Sequence, residues 1–462
     1  MHGCMTSHDG QQALVHMLNR PLYSPALPGY RPRFIRVKGP FMQTTTSGLS
    51  CGIDFGTSNS TVALGNADGA WLIPLEGESQ TLPSAVFWEE GHPKPQFGRA
   101  AIAAYTEGYE GRLMRGLKST LGSSLIHDKT RVGNRTVSFK DIVGSFFGHL
   151  KARLDAETPG VTRAVLGRPV HFVDDDVAGD QAAQDVLESI ARAQGFSEVA
   201  FQYEPIAAAL HYEQGITHEE LVLIVDIGGG TSDFSIVRVS PARALKAERQ
   251  DDILANDGIR VGGTDFDRLL SLAQVMPHLG FNAPTADGKG TMPRHYFIDL
   301  ATWHRINMLY TRRVMTDLKA LRHAIAEPVL MDRMMRVVEK RSGHALALAT
   351  ESAKIALSTQ TTTHIRIAPF TGGPDARASR DIFEAAVDTP VRRITATLRG
   401  LLAQAGLAPE AIGTVFMTGG SSNLPILRDC VATVLPAAPI ATGDLLGSVG
   451  TGLALDARAR FR

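Results

Sequence analysis

Residues 221–237 read Leu-Val-Leu-Ile-Val-Asp-Ile-Gly-Gly-Gly-Thr-Ser-Asp-Phe-Ser-Ile-Val. The opening run, 221–225, is apolar and β-branched and has the length of a buried strand. Asp226 follows it, then three glycines, Thr231 and Ser232, and 234–239 reads as a returning strand. The turn between them carries almost no side chains. Glycine lets backbone approach a ligand closely, and successive backbone N–H groups in such a turn form a concavity for anions. A carboxylate at the end of a buried strand, beside a phosphate cradle, is where a hydrated Mg²⁺ would sit.

The plan occurs twice. Gly52-Ile53-Asp54-Phe55-Gly56-Thr57-Ser58-Asn59-Ser60, continuing into Thr61-Val62-Ala63-Leu64, repeats it: apolar residue, Asp, apolar residue, Gly, hydroxyl residues, strand. Asp54 and Asp226 are 172 residues apart, one domain's length. Two phosphate-gripping hairpins at that spacing predict two lobes facing each other across a cleft, each offering one Asp and one hydroxyl-bearing turn to the same polyphosphate. Two unrelated glycine turns are the plainer alternative.

At 462 residues the chain exceeds one ordinary core, so several domains are expected. Hydrophobic content of 44% and charged content of 20% are globular, and Lys+Arg and Asp+Glu balance at 47 each. That balance gives no reason to expect nucleic acid or anionic membrane as a partner. Cys4, Cys51 and Cys430 lack metal spacing and make a poor disulfide framework, which fits a reducing, cytoplasmic setting. No apolar run approaches the roughly 20 residues of a membrane helix.

Residues 1–46 are rich in Pro and Arg and show no period, so they are expected to be a disordered or non-native extension. Beyond the first hairpin, strands are predicted near 71–74 and 85–88, and a helix over 99–106. A basic amphipathic helix is predicted over 112–122, ending at Gly122. Further helices are predicted over 138–157 and 181–194, with a strand over 164–172 between them. Glu204-Pro205 followed by alanines is a helix start that leaves little side-chain bulk against a neighbour. Val261-Gly262-Gly263-Thr264-Asp265 opens another helix, and 265–358 reads as mostly helical with a polar linker at 285–293. Glu351, Lys354 and Ser358 share one helical face. A strand is predicted over 364–368, and a long helix over 379–405 capped by Ser379. Thr418-Gly419-Gly420-Ser421, leading on to Pro425, is a third strand-to-glycine turn, against which a nucleoside can lie. A last helix, 447–457, is again rich in small residues.

In this order the motifs resemble the nucleotide-binding domain of the DnaK-type, seventy-kilodalton heat-shock chaperones, within the actin and sugar-kinase superfamily. The resemblance covers about residues 49–457. It implies an α/β, two-lobed actin-like ATPase fold, with ribonuclease-H-like sheets flanked by helices and a central nucleotide cleft. The first lobe would span 47–220, with 71–134 as its smaller subdomain and 445–462 returning to it. The second would span 221–444, with 263–349 as a mostly helical subdomain. ATP/ADP and Mg²⁺ are the implied ligands. Asp54 and Asp226 would hold the metal through water, and Lys118, Glu204, Asp226 and Thr231 would form the catalytic group. Gly56, Thr57, Ser58, Asn59, Gly228, Gly229, Gly230, Thr231 and Gly263 would surround the phosphates. Glu351, Lys354, Ser358, Gly419, Gly420 and Ser421 would line the adenosine site.

The implied function is slow ATP hydrolysis that opens and closes the cleft, with a protein client or an exchange-factor-like partner at 263–349. Ile355 stands where the family has a basic residue stacked on adenine. The sequence stops at Arg462, before the family's leucine linker, peptide-binding β-sandwich and helical lid, and so resembles the shortened, stand-alone members. In 265–350, Trp303, Leu309 and Tyr310 read most simply as subdomain core. A small-molecule kinase of the same superfamily, an actin-like filament protein and a non-hydrolysing scaffold are the alternatives.

Overall fold

A computed structural model describes residues 49–132, 135–173, 176–246, 249–442 and 447–461. The extension expected over 1–46 lies outside the described residues. Two sheets share one plan. In the first, Glu198–Tyr203, Arg163–Arg168 and Ser50–Phe55 run parallel, and Ser50–Phe55 turns back antiparallel into Asn59–Asn66 and then Gly69–Leu72. In the second, Ile440–Thr442, Thr414–Thr418 and Glu220–Ile227 run parallel, and Glu220–Ile227 turns back into Ser232–Val239 and then Ile253–Ile259. Each glycine hairpin is thus the centre of its own sheet. This is the two-lobed, actin-like architecture.

The strands read as near-continuous apolar runs because both sheet faces are covered. Behind the first sheet, the helix Phe139–Glu157 sets Phe146 and Phe147 on Phe55, with ring centroids 5.7 and 5.1 Å apart. Full burial of each ring contributes about 1.5–3 kcal/mol. Ser138 caps this helix by accepting from the Asp141 N–H.

Two helices join the halves. Glu204–Glu213 packs Ile206, Ala208 and Leu210 with Val222, Ile224 and Phe416 of the second sheet. Ser448–Arg460 returns to the first sheet, where a Cβ at Gly52 or Gly65 would overlap the Ala454 backbone or approach it within bonding-type distance. The two helices cross where a Cβ on Gly452 would overlap the Ala207 carbonyl. Only glycine permits that crossing.

The smaller sheet of the first half departs from expectation. The helix expected over 112–122 is instead a strand, Gly111–Arg115, paired antiparallel with Ala85–Glu89. Gly116, at φ 67°, then turns the chain left-handed into the 3₁₀ turn Leu117–Thr120. Cross-strand pairing overrides the helical charge pattern, and the glycine forbids continuation. Two predicted strands end early, at Arg168 before Pro169 and at Ile365 before the short helix Ala368–Thr371. The polar linker at 285–293 folds back through the bridges Pro284–Thr291 and Thr285–Ile325. The long helix runs Arg380–Ala405, and Ser379 caps it as expected.

Leu309 is buried and Tyr310 packs against the core of the second half, as read from sequence. Trp303 does not belong to that core. Its ring lies 4.5 Å from the Arg115 guanidinium carbon, contributed by the first half.

Candidate functional site

The two glycine turns meet. A Cβ on Gly229 would overlap the Ser58 hydroxyl, and one on Gly230 would lie 3.6 Å from Thr57 Cγ2. Each turn is fixed by its own hydrogen bonds. Ser84 donates through its N–H to the Ser58 carbonyl at 2.9 Å and through its hydroxyl to the Gly56 carbonyl at 2.6 Å. Across the cleft, the Gly228 N–H closes its turn on the Thr231 carbonyl at 3.0 Å. Gly263 N–H donates to Gly228 O at 2.9 Å, and Thr264 N–H to Gly229 O at 2.8 Å. Gly262 lies so near that a Cβ there would sit 2.6 Å from the Gly230 nitrogen. Asn59 opens the strand that leaves the first turn.

Asp54 and Asp226 end the central strands beside these turns. The enclosing protein, then Glu204, pushes the Asp54 carboxyl up to about 7, against the pull of Lys118. Asp226 is held well above the usual carboxylate range by burial, Asp233, Glu204 and Asp54 in turn. The two aspartates are therefore electrostatic neighbours. Burial alone would lower the Lys118 ammonium, but Glu204, Asp54 and Asp233 together raise it. Lys118 is ion-paired to Glu204, and both side chains are nearly enclosed rather than on the surface. Gly167 leaves room for Glu204: a Cβ there would lie 3.2 Å from Glu204 Cγ.

Asp233 was not singled out by sequence. It pairs in register opposite Asp226 across the second hairpin and accepts from the exposed Thr231 hydroxyl at 2.8 Å. The signal was present, since a tight hairpin around three glycines places those two carboxylates side by side.

The third turn closes on the second. Ser421 N–H donates to Ile227 O at 3.1 Å, and Gly419, at φ 84°, has no space for a Cβ beside the Asp226 carboxylate. The Lys354 ammonium, on the helix Gly343–Leu357, donates to Gly263 O at 3.1 Å and pairs with Asp267 at 2.8 Å. A Cβ on Gly263 would be 2.7 Å from Ser421 Oγ, so Gly263, Lys354, Ser421 and Gly228 form one cluster. Glu351, one turn before Lys354, faces Arg115 at 3.6 Å. Ser358 caps the same helix, Gly420 is exposed in the third turn, and Ile355 is exposed on the helix surface.

The donor set fits a hydrated divalent cation. Several carboxylates crowd one cleft with one ammonium among them, and burial together with their mutual repulsion disfavours the ionised forms, which a bound cation would favour. Among the described residues no three His, Cys, Asp or Glu side chains are grouped to chelate an ion directly. Two carboxylates with water and phosphate oxygens is the arrangement Mg²⁺ ordinarily takes.

Two sheets of one topology, joined by crossing helices and touching at paired glycine turns, define an actin-like ATPase fold. The model of the family described as Hsp70 protein matches residues 50–275 and 318–458, and the chain belongs to that family. It is 26% identical over 432 residues to chaperone protein HscA of Pectobacterium carotovorum subsp. carotovorum (strain PC1). It is 25% identical to the proteins of that name from Salmonella typhimurium (strain LT2) and Serratia proteamaculans (strain 568). Each match covers 88% of this chain and 58% of the relative, so the chain spans less than two thirds of their length.

Proposed function

We propose that this chain binds Mg·ATP between the two glycine turns and hydrolyses it slowly, as the nucleotide-driven part of a chaperone-type switch. The meeting of Ser58 with Gly229 supports this most directly, because it brings both backbone cradles to one ligand. Asp54 and Asp226 would hold the metal through water. When bound, Mg²⁺ would neutralise charge on the β- and γ-phosphate oxygens.

Positioning carries such a reaction, since phosphoryl transfer asks little covalent chemistry of the protein. Backbone N–H groups of the turns hold the phosphates. The Lys118 ammonium, kept protonated by Glu204, faces the developing charge and orients the attacking water. Asp226 and Asp233 accept hydrogen bonds from that water. Glu204 and Asp226 lie on opposite halves, so closure of the cleft assembles the group and relaxation after hydrolysis dissolves it. The crossing at Gly452 and Ala207 is the pivot in this reading.

A protein client or exchange partner at the helical subdomain is part of the same proposal. So is a reducing, cytoplasmic setting, which the buried free thiols of Cys51 and Cys430 suit. Among the described residues no helix is long and apolar enough to cross a membrane. The test is phosphate release from Mg·ATP by purified protein, with Asp226→Ala as comparison. Slow release by the wild type that the substitution abolishes supports the proposal, and equal release by both overturns it. ADP formation accelerated by an added sugar without matching phosphate release would favour the kinase alternative.

A further inference from the structure

The helix Glu204–Glu213 begins at the ion pair with Lys118 and ends in a buried ion cluster. Its last residue, Glu213, accepts from both terminal nitrogens of Arg249 at 2.8 Å and from the Ser240 N–H at 3.0 Å. Arg249 Nε donates to Asp252, whose other oxygen takes the Arg243 guanidinium. Arg243 in turn reaches the exposed Glu219 at 3.0 Å. Glu213, Arg249 and Asp252 are each no more than 3% exposed. Ser240, Arg249 and Asp252 lie between the strands Ser232–Val239 and Ile253–Ile259, so the cluster ties the end of the helix to the second half.

The middle of the helix is held by apolar packing, through Ala207, Ala208 and Ala209 with Ile206 and Leu210. Contacts of that kind are non-directional and do little to stop so smooth a helix from sliding or turning about its axis. Charge-assisted hydrogen bonds from a planar guanidinium fork are directional and do stop it. Burying such a cluster costs desolvation energy, and apolar residues of the same volume often stabilise as well, so the distinct contribution of these ions is fixed geometry. We infer that Arg249 is a positioning residue for the reaction. By holding Glu213 it sets the rotation and height of the helix, and so where Glu204, about 14 Å away along the axis, meets Lys118. The inference rests on the nucleotide reading given above and adds to it the anchor that aims one of the proposed catalytic carboxylates.

The experiment is single-turnover phosphate release from Mg·ATP, with ATP affinity measured alongside, for wild type, Arg249→Met, Glu204→Gln and the variant carrying both substitutions. Arg249→Met alone should slow release about ten- to a hundredfold, as misplacing a reacting group does, while ATP affinity changes by less than about twofold because the glycine turns are untouched. On the Glu204→Gln background the same substitution should slow release no further, since its effect passes through Glu204. A structural role alone would weaken ATP binding in step with the rate, or slow release equally on both backgrounds. Either result overturns the inference, as does release at the wild-type rate by Arg249→Met, and the nucleotide reading then still stands. Absence of release by the wild type overturns both. Should Arg249→Met fail to fold, Glu213→Gln with Arg249→Met takes its place on both backgrounds. That pair leaves Asp252 on Arg243 and an amide oxygen for the Ser240 N–H, so it orphans no charge.

Discussion

The two places where the halves of this protein meet are built from different materials. At the glycine turns the contact is bare backbone against short side chains: Gly229 against the Ser58 hydroxyl and Gly230 against the Thr57 methyl, with Gly262 and Gly263 packed behind. At the subdomains it is side chain against side chain, Tyr105 on His344 and Arg115 on Trp303. The first contact has no spare volume, so its geometry is set once the strands pair. The second is a small number of polar and aromatic contacts, each of which can part at modest cost. Under the proposed function, a cleft that grips a triphosphate and later releases it would use both kinds: a rigid grip and a separable closure.

Substituting Lys118 attacks the rigid side hardest. Lys118→Met keeps the bulk of the stem and removes the charge. Phosphate release in a single turnover should fall by about 10²–10³, as for loss of one preorganised charge-stabilising donor. Release at the wild-type rate would show that the turns bind nucleotide without turning it over. The crossing of the two joining helices comes next. Gly452→Val places a side chain where the Ala207 carbonyl lies, and backbone cannot step aside. Urea unfolding should show a loss of about 1–3 kcal/mol. A smaller loss would mean the helices slide easily and that the crossing is looser than the turns.

Asp54→Asn should separate function from stability. Glu204 and Asp226 crowd the Asp54 carboxylate. Removing its charge should raise the melting temperature of the nucleotide-free chain at pH 8 by about 1–3 °C while phosphate release is lost. A lowered melting temperature would show that the attraction of Lys118 outweighs the crowding.

The smallest effect is on the separable side. His344 is held down to about 4, below its ordinary 6.5, chiefly by burial. Between those values the unfolded chain takes up a proton that the folded chain refuses, so stability falls as pH drops from about 6.5 toward 4. Thermal melts of His344→Gln between pH 7 and 5 should decline less steeply than those of the wild type. Equal slopes would mean that the contact of His344 with Tyr105 and Trp303 does not depend on the neutral imidazole.

The glycine turns were legible because their chemistry is local. Asp-x-Gly followed by Thr or Ser at the end of an apolar run specifies a strand, a bare turn and a returning strand within about ten residues, and the motif occurs twice. The Pro205 helix start and the Ser379 cap are local in the same sense. Lys118 was placed in the site, but on the wrong element. A charge pattern with helical spacing could not show that 111–115 would find a strand partner in 85–89. Asp233 went unused although its place opposite Asp226 followed from the hairpin alone.

By itself, the sequence determined the two glycine turns, the carboxylates beside them and the small residues at the helix crossing, since each is specified by neighbours a few positions away. Only the tertiary structure decided that Tyr105 would meet His344, 239 residues on, and that Arg115 would lie over Trp303. A side chain's partner across a cleft depends on how whole elements pack, and no short window of sequence contains that distance.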